Sequence, residues 1–311
     1  MVTPSETPED QFDSSLITRP TRHDLRRSPV RIAHVSHFIF THALSRVWII
    51  AFLSGVYALV PIFYPDLLHI GVALEALLTL AVGLMLSVRV SKAYDRWWEA
   101  RMQWGKLVNI SRNLVIKLNC YVTLSDQERS ELHRLVQGFA RATKNHLRGN
   151  AVIQDVRGFN RDDASPQHVP AHIASRIYAL LEGLSTAGRL SETRALIVDS
   201  EARELMEVVG ACERIHNTPM SPSFPAFVRF SIVLAILTTP WELAERIGWL
   251  AVPSMVVATF LLVGGESIAH FLERPFGLHT DDLDLESYCD GIDRVTAEVL
   301  TVPSRVRDSA G

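Results

Sequence analysis

Between Val47 and Val88 the chain contains neither lysine nor arginine, and its only acidic residues there are Asp66 and Glu75. So long an apolar run is hard to keep in a water-soluble fold, since a bilayer-crossing helix needs only about 20 such residues. Residues 61–66 (PIFYPD) divide the run into pieces at about 47–64 and 67–88, each the length of one crossing. A second apolar block extends from Phe224 to about Phe271. Pro240 and the polar residues 242–246 predict a break within it, giving halves at about 224–239 and 247–270. The third span is the shortest and contains Arg229. The expectation is an all-α membrane protein with four transmembrane helices per subunit; buried helices of a large soluble protein are the alternative.

Charge supplies the orientation. Arg19, Arg22, Arg26, Arg27 and Arg31 precede the first span, Arg89, Lys92, Arg96, Arg101 and Lys106 follow the second, and the loop between has neither Lys nor Arg. Basic flanks stay cytosolic, so the turn at Tyr64 and Pro65 faces out, and both termini and the middle share the cytosolic side. The predicted setting is the plasma (inner) membrane. Mean hydropathy is +0.14 although 21% of residues are charged, which requires apolar residues and charges to be segregated. A net charge of −3 makes no case for nucleic acid, and the implied partner is the lipid bilayer. The 3 cysteines, Cys120, Cys212 and Cys289, form no CxxC pair and suit a reducing cytosol. Residues 1–30 read as a disordered, basic cytosolic N-terminus without the apolar core of a signal peptide.

The organisation that follows is membrane helices one and two within 31–95, a cytosolic helical region at 96–222, membrane helices three and four within 223–272, and a cytosolic C-terminal segment with an acidic loop at 273–311. Leu107, Ile110, Leu114 and Leu118 recur at helical spacing, as do Leu132, Leu135 and Phe139, then Leu196, Leu205 and Val209. Residues 150–170 read as a polar loop.

Residues 93–109 read AYDRWWEARMQWGKLVN. Asp95, Arg96, Glu99 and Arg101 mix charge signs at helical spacing. Trp97, Trp98 and Trp104 lie where the second span leaves the membrane, a boundary that indole rings favour. An interfacial helix end accounts for this chemistry by itself. The string as a whole, Tyr94, Arg96, Trp97, Trp98, Glu99, Arg101, Trp104 and Gly105, resembles the motif into which the second membrane helix runs in the bestrophin family, bacterial branch. Residues 212–219 (CERIHNTP) resemble the family's entry to the third span, and residues 273–285 (ERPFGLHTDDLDL) its Pro-Phe-Gly and acidic segment after the fourth. The resemblance covers most of residues 30–300. It implies a homopentamer with a central pore lined by the second helix and a cytosolic helical vestibule.

The resemblance also implies a pore neck of three apolar residues four apart, at Leu80, Leu84 and Val88. Four-residue spacing puts them on one helix face; without the resemblance such a stripe reads as packing. Family members often carry an aromatic residue where Val88 stands. Glu75, ionisable within a span, marks a water-lined path or a partner: an outer-mouth charge or a pairing between subunits. Arg89 and Lys92 below the neck would attract anions, whereas Glu75 above would do the opposite. The implied function is a channel for small monovalent ions, favoured as chloride and other anions. The alternatives are a sodium-type cation channel and a membrane-anchored helical scaffold without flux.

No metal site, cofactor or catalytic centre is expected. His34, His37 and His42 read as structural rather than as a zinc site, which wants a defined fourth ligand. No GxSxG, Walker, HExxH or GxGxxG motif occurs, so the chain does not read as an enzyme. Gly264 and Gly265 suit close helix packing. Asp281, Asp282, Asp284 and Glu286 read either as a solvated acidic loop or as calcium ligands. The calcium clasp of eukaryotic bestrophins would fall on His279 and Asp282, and a register shift would bring in Asp281 and Asp284. A neutral imidazole is a poor ligand for a hard cation, so conduction without calcium is expected.

Overall fold

The computed structural model describes residues 45–301 apart from 70, 151, 154–155, 157–158, 160–165 and 280–281. The expected disordered N-terminus, His34, His37, His42 and Asp281 lie outside the described residues, and among those described no strand occurs. The helices are α1 (Ser45–Tyr57), α2 (Leu59–Phe63), α3 (Val72–Tyr121), α4 (Asp126–Leu147), α5 (Val169–Thr186), α6 (Glu192–Asn217), α7 (Ser223–Ile247), α8 (Ala251–Leu272) and α9 (Leu285–Thr301).

The membrane-type helices are α1, α2, the first half of α3, α7 and α8. Ser45–Phe63, Val72–Tyr121 and Ser223–Leu272 are long and apolar enough to cross a bilayer by length and composition. Pro61 has no N–H to offer the Tyr57 carbonyl, and the first of these steps there from α1 to α2. α3 has 50 residues, about 75 Å of unbroken helix, so the helix that carries the second span runs on through the motif. Pro240 does not end the third span. It sits inside α7, and the chain turns instead at Gly248, whose φ of +56° suits glycine. α7 and α8 then run antiparallel, as the Arg229–Glu266 pair at 2.8 Å shows. Close approach is visible where α1 meets α8: a Cβ on Gly55 would lie 2.5 Å from Val256 Cγ2. Gly265 packs α8 against Leu86 of α3.

The second half of α3 enters a different environment. With α4, α5, α6 and α9 it forms a helical body whose core includes Leu107, Ile110, Leu114, Leu118, Leu132, Leu135, Phe139, Leu205 and Val209. Leu196 does not join its expected stripe. It is exposed in the second turn of α6, and the buried face starts at Val198. The predicted loop ends before Pro170, because α5 begins at Val169 with that proline in its first turn, where a missing N–H costs no helical bond. Ile153, Val156 and Phe159 anchor the loop in the core. A capping box starts α4: Ser125 and Glu128 satisfy each other's backbone N–H groups.

Candidate functional site

α3 turns Leu80, Leu84 and Val88 to one exposed face, with 69%, 65% and 44% of their surfaces accessible in the single chain. The opposite face is packed, with Val82 against Val228, Ile232 and Ala235 of α7. The exposed stripe extends past the apolar residues to Asp95, Trp98 and Met102. Lys92 stays at the surface and pairs with Asp95 at 3.2 Å. Glu75 accepts hydrogen bonds from Thr79 (3.0 Å) and from Thr239 of α7 (2.8 Å), so it ties α3 to α7 within the chain.

Arg89 corrects the charge reading of this face. Its side chain is fully buried, between Glu273 at 2.8 Å and Glu266 at 3.4 Å. Glu266 also holds Arg229. A guanidinium so enclosed offers no positive surface beside the stripe. Removed from water, it must be matched by carboxylates, and α8 supplies them. Glu266 was missed from sequence, although the rule that singled out Glu75, an ionisable residue in an apolar span, applies to it equally.

The motif residues divide by role. Arg96 donates through Nε to the Glu273 carbonyl (2.8 Å), through Nη1 to the Thr218 carbonyl (2.7 Å) and through Nη2 to the Ile215 carbonyl. These acceptors lie at the C-terminal ends of α8 and α6, where carbonyls lack intrahelical donors and positive charge is favoured. One guanidinium thus fastens three helices. Glu99 pairs with Arg214 of α6 at 3.1 Å. Tyr94 stacks beside Trp97 and Trp98, and Arg101 lies 5.0 Å over the Trp98 ring. Trp104 is not interfacial: it is fully buried in the helical body against Tyr288. Gly105 faces open space, since a Cβ there would meet nothing within 4 Å.

The segment 212–219 completes this joint. Cys212 is buried, which pushes its thiol up to about 12 and leaves it inert. Glu213 Oε1 receives His146 Nε2 at 2.6 Å and His168 Nε2 at 2.8 Å, joining α4, the start of α5 and α6. Burial pushes the Glu213 carboxyl up, and the two imidazole hydrogen bonds outweigh it, so its pKa lies below the ordinary carboxylate value. These three groups have the composition of a metal site. However, His168 Nδ1 accepts from the Ala171 N–H at 3.1 Å, capping α5. Its Nε2 in the neutral ring therefore carries the proton donated to Glu213, whereas a metal ligand needs that nitrogen bare and its other nitrogen donating.

The acidic segment is used locally. Asp282 accepts from the His279 backbone N–H at 2.6 Å, and burial raises its pKa. Asp284 accepts from the Ser287 N–H at the start of α9, and Glu286 pairs with Arg141 and Lys144. His279 is exposed, with its ring against Phe271.

Lipid-length apolar helices continuous with a polar helical body define an integral membrane protein. The chain belongs to the bestrophin family: the model described as Bacterial/Fungal Bestrophin protein matches residues 20–298. A voltage-dependent anion channel-forming protein of Nostoc sp. is 30% identical over 238 residues, 74% of this chain and 78% of that one. One of the same description from Salmonella typhi is 26% identical, covering 89% and 92%. The crystal structure of a bacterial bestrophin homolog from Klebsiella pneumoniae superposes with a TM-score of 0.76 at 23% identity, covering 82% of this chain and 97% of that one.

Proposed function

We propose that this chain is the pore-forming subunit of a homopentameric channel that passes small monovalent anions through the inner membrane, with four spans and cytosolic termini. The observation that carries the reading is the exposed apolar face of α3 at Leu80, Leu84 and Val88, opposite a face packed on α7. The membrane half of α3 packs on α7 along one face and is otherwise largely exposed in the single chain, so its large apolar side chains call for cover, and a ring of copies of the same face makes a constriction that conducts when wetted. Gly83, Ser87 and Ser91 recur every four residues beside the stripe, and a Cβ at Gly83 would meet nothing in its own chain. Small residues so spaced let a neighbouring helix approach closely, which supports self-association along α3. The anion preference is supported by what the relatives are named to form. Conduction without calcium belongs to the same reading, because Asp282 and Asp284 are engaged by backbone N–H groups.

Cation selectivity is the second reading. Arg89 is neutralised by Glu266 and Glu273, and Lys92 is matched by Asp95, so the face carries little net positive charge. Reversal potential in a planar bilayer under a KCl gradient decides between them. A reversal near the chloride equilibrium potential supports the anion channel, and one near the potassium potential supports the second reading. Purified protein that gives no flux in sealed liposomes would leave only a membrane-anchored scaffold.

A further inference from the structure

α1 and α7 both pack on α8. At the outer end they are tied together: the Tyr57 hydroxyl donates to the Leu237 carbonyl at 3.2 Å and accepts from Trp241 Nε1 at 3.0 Å. Toward the cytosolic end the two helices border a cavity of about 390 Å³ floored by α8. Its lining changes along its length. Arg46, Arg229 and His270 stand at the cytosolic end, and Ile50, Val233 and Ile236 form the walls deeper in. The lining holds two arginines, Arg46 and Arg229, and one carboxylate, Glu266, which pairs with Arg229 and also with the buried Arg89 behind it. With Glu266 shared with Arg89, the cavity keeps a positive balance. Arg229 meets Glu266 through Nε, its side chain is 53% exposed, and among the described residues its terminal amino groups have no recorded partner.

We propose that this groove is a binding site for an anionic phospholipid of the inner leaflet, phosphate at Arg46 and Arg229, one acyl chain along Ile50, Val233 and Ile236. A basic pocket between membrane helices at the cytosolic level recruits an anionic headgroup, and the apolar walls continue in the direction the chain must take. A zwitterionic lipid would bring its own cation to a site that already holds two. The inference rests on the membrane placement proposed above, and goes beyond it by assigning this site a ligand.

The test uses full-length protein in nanodiscs of phosphatidylcholine, with and without phosphatidylglycerol, reading thermal stability and lipid retained on extraction into detergent. Phosphatidylglycerol should raise the unfolding temperature and be retained in preference to phosphatidylcholine. Arg46→Gln should weaken that retention about fivefold, the effect of one basic contact at a membrane surface. Val233→Trp, which fills the groove from an exposed position, should abolish it while leaving stability in pure phosphatidylcholine unchanged. Millimolar glycerol phosphate should not compete, which separates a lipid from a free phosphate. Equal retention of the two lipids, or a preference untouched by both variants, overturns the proposal. So does a gain in retention on deleting residues 1–40, which would make the chain's own N-terminal segment the occupant. A protein that conducts ions yet shows no lipid preference would refute this inference alone.

Discussion

Arg89 Nη2 lies 2.8 Å from Glu273 Oε2, and the arginine side chain is fully buried. The contact joins the first half of α3 to the end of α8, near the level where the membrane helices give way to the helical body. Removing one partner of such a pair strands the other in a poorly solvated site, at a cost of about 3–5 kcal/mol. Arg89→Gln should therefore abolish stable folding or sharply lower the unfolding temperature in detergent. Glu273→Gln should cost less, because Arg89 keeps Glu266. Equal and small effects from both would mean that the pair contributes little.

The stripe on α3 makes a prediction about conductance. Leu80, Leu84 and Val88 are exposed in the single chain, so truncating them opens no cavity inside it. Leu80→Ala and Leu84→Ala should raise single-channel conductance by widening and wetting the constriction, and Val88→Phe should lower it. Unchanged conductance in all three variants would assign the stripe to packing.

Arg96 reaches three carbonyls on two helix ends. A lysine has the charge but not the planar fork. Arg96→Lys should lose at least one of these contacts and destabilise the protein by about 1–3 kcal/mol, the usual cost of hydrogen bonds to a charged group. Thermal unfolding of the solubilised protein reads this directly, and full stability with lysine would show that charge alone suffices.

Glu128 ties stability to pH. Its hydrogen bond from Arg189, together with the Ser125 cap, lowers its pKa to about 2. A folded-state pKa below the unfolded value of about 4.3 means that the contribution is complete above that value. It is then lost as pH falls toward 2. Glu128→Gln should lower the unfolding temperature at pH 7, and the gap from wild type should close progressively below about pH 4. A gap independent of pH would place the effect in the cap geometry rather than the charge.

Topology is testable with cysteines. In a Cys120→Ser background, with the remaining Cys212 and Cys289 buried and their thiols pushed up to about 12, Asp66→Cys should react with an impermeant reagent from outside. Asp199→Cys, on α6 of the helical body, should be protected in intact cells. The reverse pattern would invert the orientation.

Local signals made much of this molecule legible. The apolar runs, the helical spacing of Leu107, Ile110, Leu114 and Leu118, and the motif around Arg96 could all be read directly. Three features could not, and each depends on partners far away in the chain. Pro240 looks like a terminator, but a helix in an apolar setting tolerates proline when neighbours support it, and α7 is flanked by α3 and α8. Arg89 looks like surface charge because its carboxylates come from Glu266 and Glu273, nearly two hundred residues later. Trp104 sits close to the membrane boundary in sequence, but α3 carries it about 24 Å beyond Val88, into the body's core, at 1.5 Å per residue.

The continuity of α3 has a mechanical consequence. With no proline and no interruption between Leu80 and Leu118, the helix has no joint at which the two ends could turn independently. It works as a crankshaft, its far end gripped by the core around Trp104 and its near end presenting the apolar stripe. On a helix about 10–12 Å across, a roll of about 20° sweeps a side-chain tip through about 2 Å. Any event that reorients the body therefore rotates the stripe as well, and copies arranged in a ring would turn like the blades of an iris.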